Sequence, residues 1–419
     1  MYYNFNDKII VEEIKMLSFK FIKFMKALKS GRTEKLSCVT DLGRVGIYIA
    51  EEYSTRFDLL NIEQCLFLSE FQTTHLEKEE KHLLNLVKKD DPLFSLLEYY
   101  DNYPYSYSDI NCFFKGCLKS GVEISIKAVN PVSKNNCFKK LNKIEKTLKY
   151  QKYLRPWINK EYKIEEILTD LKERIDRKFV LGNEIRYTKN LIEYLDKYKE
   201  IKFLKRIKFP KIYAYLSSDD KVVTEFVYGS YFYELLQYNR LSYKDVLDLI
   251  RTQLFFILKV GVFHNNLHSG NLILSDEGNI YFLDCNTISI LTTQTKEGLF
   301  KLLKYALKRD FRKVTEIFND ISKEKISQEQ LEYVVRDMEQ IFNSSYPTNN
   351  TLVRKLMEMF RLVSSYGVVF EKNIFTVFKS LIYLERISMK TIGKNGDFRE
   401  DLIRILEEIE GYIEELRSN

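Results

Sequence analysis

The stretch Val262–Thr287, VFHNNLHSGNLILSDEGNIYFLDCNT, constrains the fold of this 419-residue chain more than any other. Two apolar, strand-like runs, 271–274 and 280–283, are separated by five turn-forming residues that include a glycine. Such a pattern predicts a β-hairpin. The hairpin would hold Asn271, where it begins, beside Asp284, where it ends.

The polar residues of this stretch have the spacing of a kinase catalytic loop. His264 and Asn271 are seven positions apart, as in H-R-D-L-x-x-x-N, and Asp284 falls where the Asp of D-F-G stands. In kinases that Asn and that Asp hold Mg²⁺. One position departs from the pattern, because Asn266 stands where the Asp accepts the substrate proton. A neutral amide cannot take up that proton at pH 7.

Composition excludes several function classes. The chain is 45% apolar and 30% charged, as in an ordered protein that can form two or three lobes. The net charge of +7 is dispersed along the chain, which gives no reason to expect a nucleic-acid partner. Six cysteines without a CxxC pair, no signal-like N-terminus and no long apolar run favour a cytoplasmic protein with at most peripheral membrane contact.

Upstream residues supply the other parts of a nucleotide site. Lys127 ends a strand-like ISIK, on the face opposite two isoleucines, where V-A-I-K has its phosphate-binding lysine. Glu184, near the middle of a long helix predicted over 163–199, is the candidate partner of that lysine. Glu225 and Val227 lie in an apolar strand that runs into a glycine, as at a kinase hinge whose backbone binds adenine.

These parts in this order predict an α+β, protein-kinase-like, two-lobed fold. The expected divisions are an N-terminal helical extension (1–100), a small lobe with an antiparallel sheet and an αC-like helix (101–228) and a helical large lobe (229–419). The expected cofactors are ATP and Mg²⁺, with Asn271 and Asp284 as metal ligands. The candidate catalytic group consists of His264, Asn266 and Lys127.

The N-terminal segment 11–29 has apolar residues at three-and-four spacing with lysines mostly off that stripe, which predicts an amphipathic helix. Two interpretations stay open. The helix packs on the core of this protein, or it lies on an anionic membrane surface.

The form HNNLHSGN resembles the loop of two groups: small-molecule kinases of the antibiotic-phosphotransferase type, and the UbiB (AarF) family of atypical protein-kinase-like proteins. The segment Tyr53–Leu60, YSTRFDLL, decides between them. It is similar to the L-S-T-R-P-D-L-L that UbiB proteins carry before the kinase core and that small-molecule kinases lack. The resemblance covers roughly residues 43–397.

Several motifs depart from the family's pattern. The K-x-G-Q of the family aligns with 48–51 (YIAE), its Ala-rich nucleotide loop with 106–112 (SYSDINC), and its E-x-D pair with 178–180 (KFV). The aligned D-F-G motif reads DCN from Asp284. The residues retained are those that hold phosphates and Mg²⁺: Lys127, Glu184, Asn271 and Asp284.

The resemblance implies an ATP- and Mg²⁺-binding protein whose phosphotransfer is weak or lost, accessory to isoprenoid-quinone or lipid metabolism, with a lipid or a quinone-pathway protein as partner. One alternative is a catalytically dead pseudokinase that acts as a nucleotide-sensing binding module. A weaker alternative is a small-molecule kinase.

Overall fold

The computed structural model of the protein describes residues 5–73, 82–107, 110–343, 352–392 and 398–415, with the side chains of 5–14 left undescribed. The chain divides into two compact units. Met1–Asn183 and Ile212–Phe226 form the first unit, and Glu184–Lys211 and Val227–Asn419 form the second.

The elements of the first unit are helices α1 Phe5–Ser30, α2 Arg44–Tyr53, α3 Ile62–Ser69, α4 Leu83–Leu86, α5 Pro92–Leu96, α6 Pro131–Leu154, α7 Trp157–Tyr162 and α8 Ile164–Lys178, a 3₁₀ segment Thr33–Leu42, and strands β1 Leu97–Tyr100, β2 Ser106–Tyr107, β3 Asn111–Leu118, β4 Glu123–Val129 and, later in the chain, β6 Lys221–Glu225. Helix α9, Gly182–Lys197, begins in this unit and continues in the second.

The elements of the second unit are strands β5 Ile207–Lys208, β7 Ser230–Tyr231, β8 Val262–His264, β9 Leu272–Leu274, β10 Ile280–Phe282 and β11 Ile288–Ile290, and helices α10 Phe232–Gln237, α11 Tyr243–Phe255, α12 Thr293–Lys308, α13 Phe311–Ile321, α14 Gln328–Asn343, α15 Leu352–Ser365, α16 Lys372–Thr391 and α17 Phe398–Glu415.

The sheet of the first unit is antiparallel in the order β1-β3-β4-β6, with β2 paired to β3. Alternation along β4 places Ile124, Ile126 and Ala128 in an apolar cluster with residues of α4, α5 and β3. Lys127 therefore lies on the other face, as its position in ISIK predicts.

The helices before this sheet form a packed layer. Phe21, Met25 and Leu28 of α1 are fully buried, so the interpretation that this helix packs on its own protein is confirmed for that stripe. The signature YSTRFD is buried as well: Arg56 donates to both carboxylate oxygens of Asp58 at 2.8 Å. This bidentate pair gives the motif a structural role.

The prediction of one long helix over 163–199 is wrong. Helix α8 ends at Lys178, and α9 begins at Gly182, so Glu184 lies in the first turn of α9 and not in the middle of a helix. The break has a non-local cause. The Leu181 N–H donates to the Asp219 carbonyl at 2.8 Å, and a Cβ on Gly182 would approach the Asp219 carboxylate to 2.3 Å.

In the second unit the predicted hairpin is present. Strands β9 and β10 pair antiparallel, and β5 and β7 extend the sheet on either side. Helix α11 begins at the Ser242 cap, passes into a π-helical turn and ends at Gly261, whose φ of 80° is the left-handed stop expected there. The chain then enters β8 and the His264 loop.

Arg206 fixes the far end of this hairpin to α11. Its guanidinium donates to Asp245 and to Asp248 of α11, both at 2.6 Å, and to the Gly278 carbonyl in the hairpin turn at 2.9 Å. These three acceptors hold the turn in place. No helix among the described residues is long and apolar enough to cross a membrane.

Candidate functional site

The end of the β9–β10 hairpin brings together the chain segments that carry the two predicted metal ligands, with Asn271 just before β9 and Asp284 two residues after β10. Phe282 pairs with Leu272, and the next N–H, that of Leu283, donates to the Asn271 carbonyl at 2.9 Å. Asp284 follows directly, with φ of 57°, a left-handed conformation that Asp tolerates better than most residues. Its carboxylate accepts a hydrogen bond from the Asn286 amide at 3.0 Å.

The side chain of Asn271 is oriented by the catalytic loop. Its Nδ2 donates to the Asn266 carbonyl at 2.9 Å, within a buried environment. An amide has one donating and one accepting end. Since the donating end is bound to the loop, the Oδ1 end is the one that can act as an oxygen ligand.

His264 is the centre of the loop but has no free nitrogen. Its Nδ1 accepts the Asn266 N–H at 3.1 Å, so Nε2 carries the proton and donates to the Leu283 carbonyl at 2.9 Å. Burial lowers the pKa of His264 below its ordinary value, and the charge of Lys379 adds to this lowering. A neutral imidazole with both nitrogens bound is a positioning group that ties the loop to the hairpin.

The Asn266 side chain also has a defined partner. It is 7% exposed, and its Oδ1 accepts a hydrogen bond from the Tyr383 hydroxyl at 3.4 Å. Tyr383 packs edge-on against His268, with ring centroids 5.9 Å apart. The amide at the position of the usual base is thus part of a buried polar network.

Sequence reasoning missed two residues here, Lys379 and Tyr383 of α16. Both are buried, and the Lys379 Nζ lies 5.8 Å from the Tyr383 ring centroid. The available signal for Tyr383 was the segment 380–385 (SLIYLE), which is similar to a UbiB segment but is not part of the kinase loop pattern; Lys379 lies just before this segment and had no signal of its own.

On the face of the first unit's sheet that carries Lys127, aromatic side chains cluster. Lys127 is directly paired with Phe113, and its Nζ lies 5.6 Å from that ring centroid. Tyr105 packs against Phe113 and Phe226 with centroids 6.4 and 5.6 Å apart, and its hydroxyl is 2.8 Å from the Ser125 Oγ. We call Tyr105, Phe113 and Phe226 the aromatic cover. It occupies sheet surface beside the lysine, which is 4% exposed.

The remaining predicted residues have these positions. Glu225 is the last residue of β6 and pairs with Ile124 of β4, which precedes Lys127 by three positions. Val227 lies two residues after Glu225 and belongs to the second unit. Glu184 is buried in α9. The second unit brings His264, Asn266, Asn271 and Asp284 together. In the first unit Lys127 pairs with Val222, whereas Glu225 pairs with Ile124 and so lies on the opposite face of the sheet from Lys127. Positions 108 and 109 of the nucleotide loop lie outside the described residues.

The altered family motifs contact each other within the first unit. Tyr48, at the Lys position of K-x-G-Q, has the Lys178 Nζ 5.4 Å from its ring centroid, and Lys178 stands at the first position of E-x-D. Glu51, at the Gln position, pairs with Arg174 at 2.9 Å. The substitutions thus form a cation–π contact and an ion pair within the first unit.

Residues 72–318, more than half of the chain, match the ABC1 atypical kinase-like domain. The protein therefore belongs to this family of atypical kinase-like proteins, and its fold is the expected α+β, two-lobed kinase-like fold with an N-terminal helical extension. The prediction of a divergent UbiB-type member is confirmed.

Curated relatives agree with this assignment. The chain is 23% identical over 372 residues to the probable protein kinase UbiB of Pectobacterium carotovorum, covering 83% of this chain and 65% of that protein. It is 23% identical over 412 residues to the same-named protein of Shewanella loihica, covering 90% and 71%. The chain thus spans about two thirds of the length of these relatives.

Among solved structures, the complex of Rv3197 with erythromycin from Mycobacterium tuberculosis matches with a TM-score of 0.47 at 13% identity, over 92% of this chain and 98% of that one.

Proposed function

We propose that the protein is a UbiB-type nucleotide-binding protein that takes ATP with Mg²⁺ and whose phosphotransfer is weak or lost. The observation that carries the proposal is the hairpin end, where Asn271 directly precedes β9, Asp284 follows β10 by two residues, and the Asn271 amide is oriented by the loop that begins at His264. The residues that bind are retained, and the one that would accept a proton is not.

The donor set of the hairpin end fits Mg²⁺ only when phosphate is present. Mg²⁺ is commonly held by one or two carboxylates, with waters and substrate phosphates completing an octahedron. The described residues contain no group of three His, Cys, Asp or Glu side chains suited to hold a metal by themselves. Asn271 Oδ1 and the Asp284 carboxylate would hold the ion, which when bound neutralises phosphate charge.

Lys127 is the proposed phosphate-binding cation of the first unit, and the backbone near Glu225 and Val227 is the proposed adenine contact. Glu184, which belongs to the second unit, is retained at the position that the UbiB resemblance gives to the glutamate of the αC-like helix. His264 keeps the loop in place without exchanging a proton, because both of its nitrogens are bound.

Turnover is expected to be slow because Asn266 cannot accept a proton. Loss of a general base costs roughly 10²- to 10⁴-fold in rate. Positioning and electrostatics supply most of the catalysis of phosphoryl transfer, so a residual rate is compatible with the loop.

A thermal-shift titration with Mg-ATP tests the binding proposal. At ligand concentrations about 100-fold above the Kd, binding stabilises a protein by about 2.7 kcal/mol. We expect the shift with Mg-ATP and a smaller one with ATP and EDTA. Asp284→Asn should remove the Mg²⁺ dependence, whereas the matched Asp276→Asn, exposed in the turn at the other end of the hairpin, should not. No shift at millimolar Mg-ATP refutes the proposal.

The second candidate function is a nucleotide-sensing binding module, and the aromatic cover favours it. Tyr105 is held by two rings and a hydroxyl contact over the sheet face that a kinase-like fold uses for the nucleotide. A nucleotide that displaces Tyr105 would change the conformation of the segment before β2, and a partner could detect that change.

Two further proposals rest on resemblance. A role beside isoprenoid-quinone or lipid metabolism, with a partner from that pathway, follows from the UbiB likeness; co-purification of quinone-pathway proteins would test it. The small-molecule kinase alternative is disfavoured by the buried YSTRFD motif, and phosphorylation of a soluble metabolite by the purified protein would restore it.

A further inference from the structure

One face of α6 carries a regular row of lysines and tyrosines. Residues at spacings of four and three lie on one side of a helix, and this row consists of Lys139, Lys143, Lys146, Tyr150 and Tyr153. The opposite face supplies the buried Cys137, Leu141, Ile144 and Leu148. Tyr150 and Tyr153 are 78% and 88% exposed.

Helix α1 continues this surface. The two helices pack against each other, and the Ser18 hydroxyl lies 2.7 Å from the Thr147 hydroxyl. One turn apart on the outer side of α1, Met16 is 56% and Phe19 is 71% exposed. We call these two residues, the α6 row and Leu154, which is 75% exposed, the α1/α6 surface.

The exposure of apolar groups here is unusual within the described part of the chain. Of its five most exposed large hydrophobic side chains, four belong to this surface: Tyr153, Tyr150, Leu154 and Phe19. A single exposed apolar residue needs no explanation, but a group rimmed by polar residues marks an interaction site.

The charge of the surface is strongly positive. Helix α6 carries seven lysines and one acidic residue, Glu145, which is paired with Lys172 at 2.6 Å. The described side chains of α1 add five lysines and no acid, of which Lys23 pairs with Asp41 at 3.0 Å and Lys29 with Glu161 at 3.5 Å. The partner of this surface must therefore be anionic.

We propose that the α1/α6 surface docks on an anionic lipid bilayer. Lysines on such a face reach lipid phosphates with their charged ends while their stems stay in apolar surroundings. Tyrosine is favoured at the membrane–water interface. Phe19, Met16 and Leu154 supply the apolar groups that enter the acyl boundary. The exposed aliphatic side chains argue against nucleic acid, whose phosphates and bases offer them no matching environment.

Co-sedimentation of the full chain with vesicles tests the proposal. Binding is expected to phosphatidylcholine vesicles that contain phosphatidylserine and to be much weaker with phosphatidylcholine alone. It should fall as salt rises, because screening shortens the reach of surface charges. The double variant Lys139→Gln/Lys146→Gln should bind roughly 25-fold more weakly, at about fivefold per lysine. The matched control Lys88→Gln/Lys89→Gln, exposed in the same unit, should bind as the natural protein does.

The apolar contribution is tested separately. Tyr150→Ser/Tyr153→Ser should lower binding at high salt, whereas Tyr215→Ser, at a tyrosine 72% exposed elsewhere in the unit, should not. Unchanged melting temperatures show that these surface variants fold. The proposal is overturned by equal binding to both vesicle types, by no vesicle binding, by binding to single-stranded RNA in place of vesicles, or by a dimer that only the tyrosine variant disrupts.

Discussion

Replacing Asn266 with Asp restores the carboxylate that the catalytic loop lacks, with almost no change in side-chain shape. The site is 7% exposed, and its side-chain oxygen already accepts a hydrogen bond from the Tyr383 hydroxyl. Bonds to charged acceptors contribute about 1.5–3 kcal/mol, against about 1 kcal/mol for neutral ones. The stronger bond and the nearby Lys379 offset the desolvation of the new charge, so the variant should fold with a melting temperature close to that of the natural protein.

The expected gain in rate follows from what the loop retains. His264 is anchored through both nitrogens, Asn271 is oriented by the Asn266 carbonyl, and neither contact uses the Asn266 side chain. The missing base is therefore the one change that the substitution reverses. We expect Mg²⁺-dependent ATP hydrolysis to rise by roughly 10²- to 10⁴-fold, which is a barrier lower by about 3–5 kcal/mol.

Phosphate release at saturating Mg-ATP measures this rate, and thermal shift confirms that nucleotide still binds. Asn265→Asp is the matched control, since it places the same charge one residue away on a side chain whose Nδ2 donates to Ser289 at 3.1 Å. Adding Asp284→Asn to Asn266→Asp should remove the gain. If the folded, nucleotide-binding Asn266→Asp protein hydrolyses ATP less than tenfold faster, the missing base is not what limits turnover, and the binding-module function is favoured.

Three further outcomes are expected. Arg206→Met leaves two α11 aspartates without their shared partner and should lower the free energy of unfolding by about 3 kcal/mol in urea titrations; a loss below about 1 kcal/mol contradicts the anchoring role. Burial lowers the pKa of His264 in the folded state, so the unfolded state takes up the proton first as pH falls. The stability that the neutral His264 contributes is therefore complete above the ordinary pKa of about 6.5 and is lost as pH falls from there toward the lower pKa of the folded state. His264→Gln should flatten that acid limb of the stability profile, and an unchanged limb contradicts the assignment. Tyr105→Ala removes the tyrosine of the aromatic cover and should raise Mg-ATP affinity about tenfold by calorimetry, whereas Tyr215→Ala should not; weaker binding would mean that Tyr105 contacts the nucleotide.

The sequence was sufficient to predict those features of the fold that depend on the spacing of nearby residues. The hairpin follows from two apolar runs and a turn, the stop at Gly261 from a glycine after an apolar helix face, and the side of Lys127 from alternation along one strand. The break before Glu184 could not be predicted, because it depends on Asp219, which is 37 positions from Gly182. Tyr383 was missed for the same reason, since more than 100 residues separate it from Asn266.

The replaced motifs acquire a meaning from the structure that sequence alone does not give. A chain that is losing function accumulates substitutions without regard to their neighbours, and buried polar groups left unpaired cost about 1–3 kcal/mol each. Here Tyr48 faces Lys178, Glu51 pairs with Arg174, and Asn266 accepts from Tyr383. These three altered positions each have a partner of fitting chemistry, and the backbone of one of them, Asn266, holds the amide of the retained Asn271. The proposed site keeps the two oxygen ligands, Asn271 and Asp284, and holds Asn266 in a defined hydrogen bond at the position of the usual base. These features favour the proposal that the site binds a nucleotide and hydrolyses it slowly or not at all.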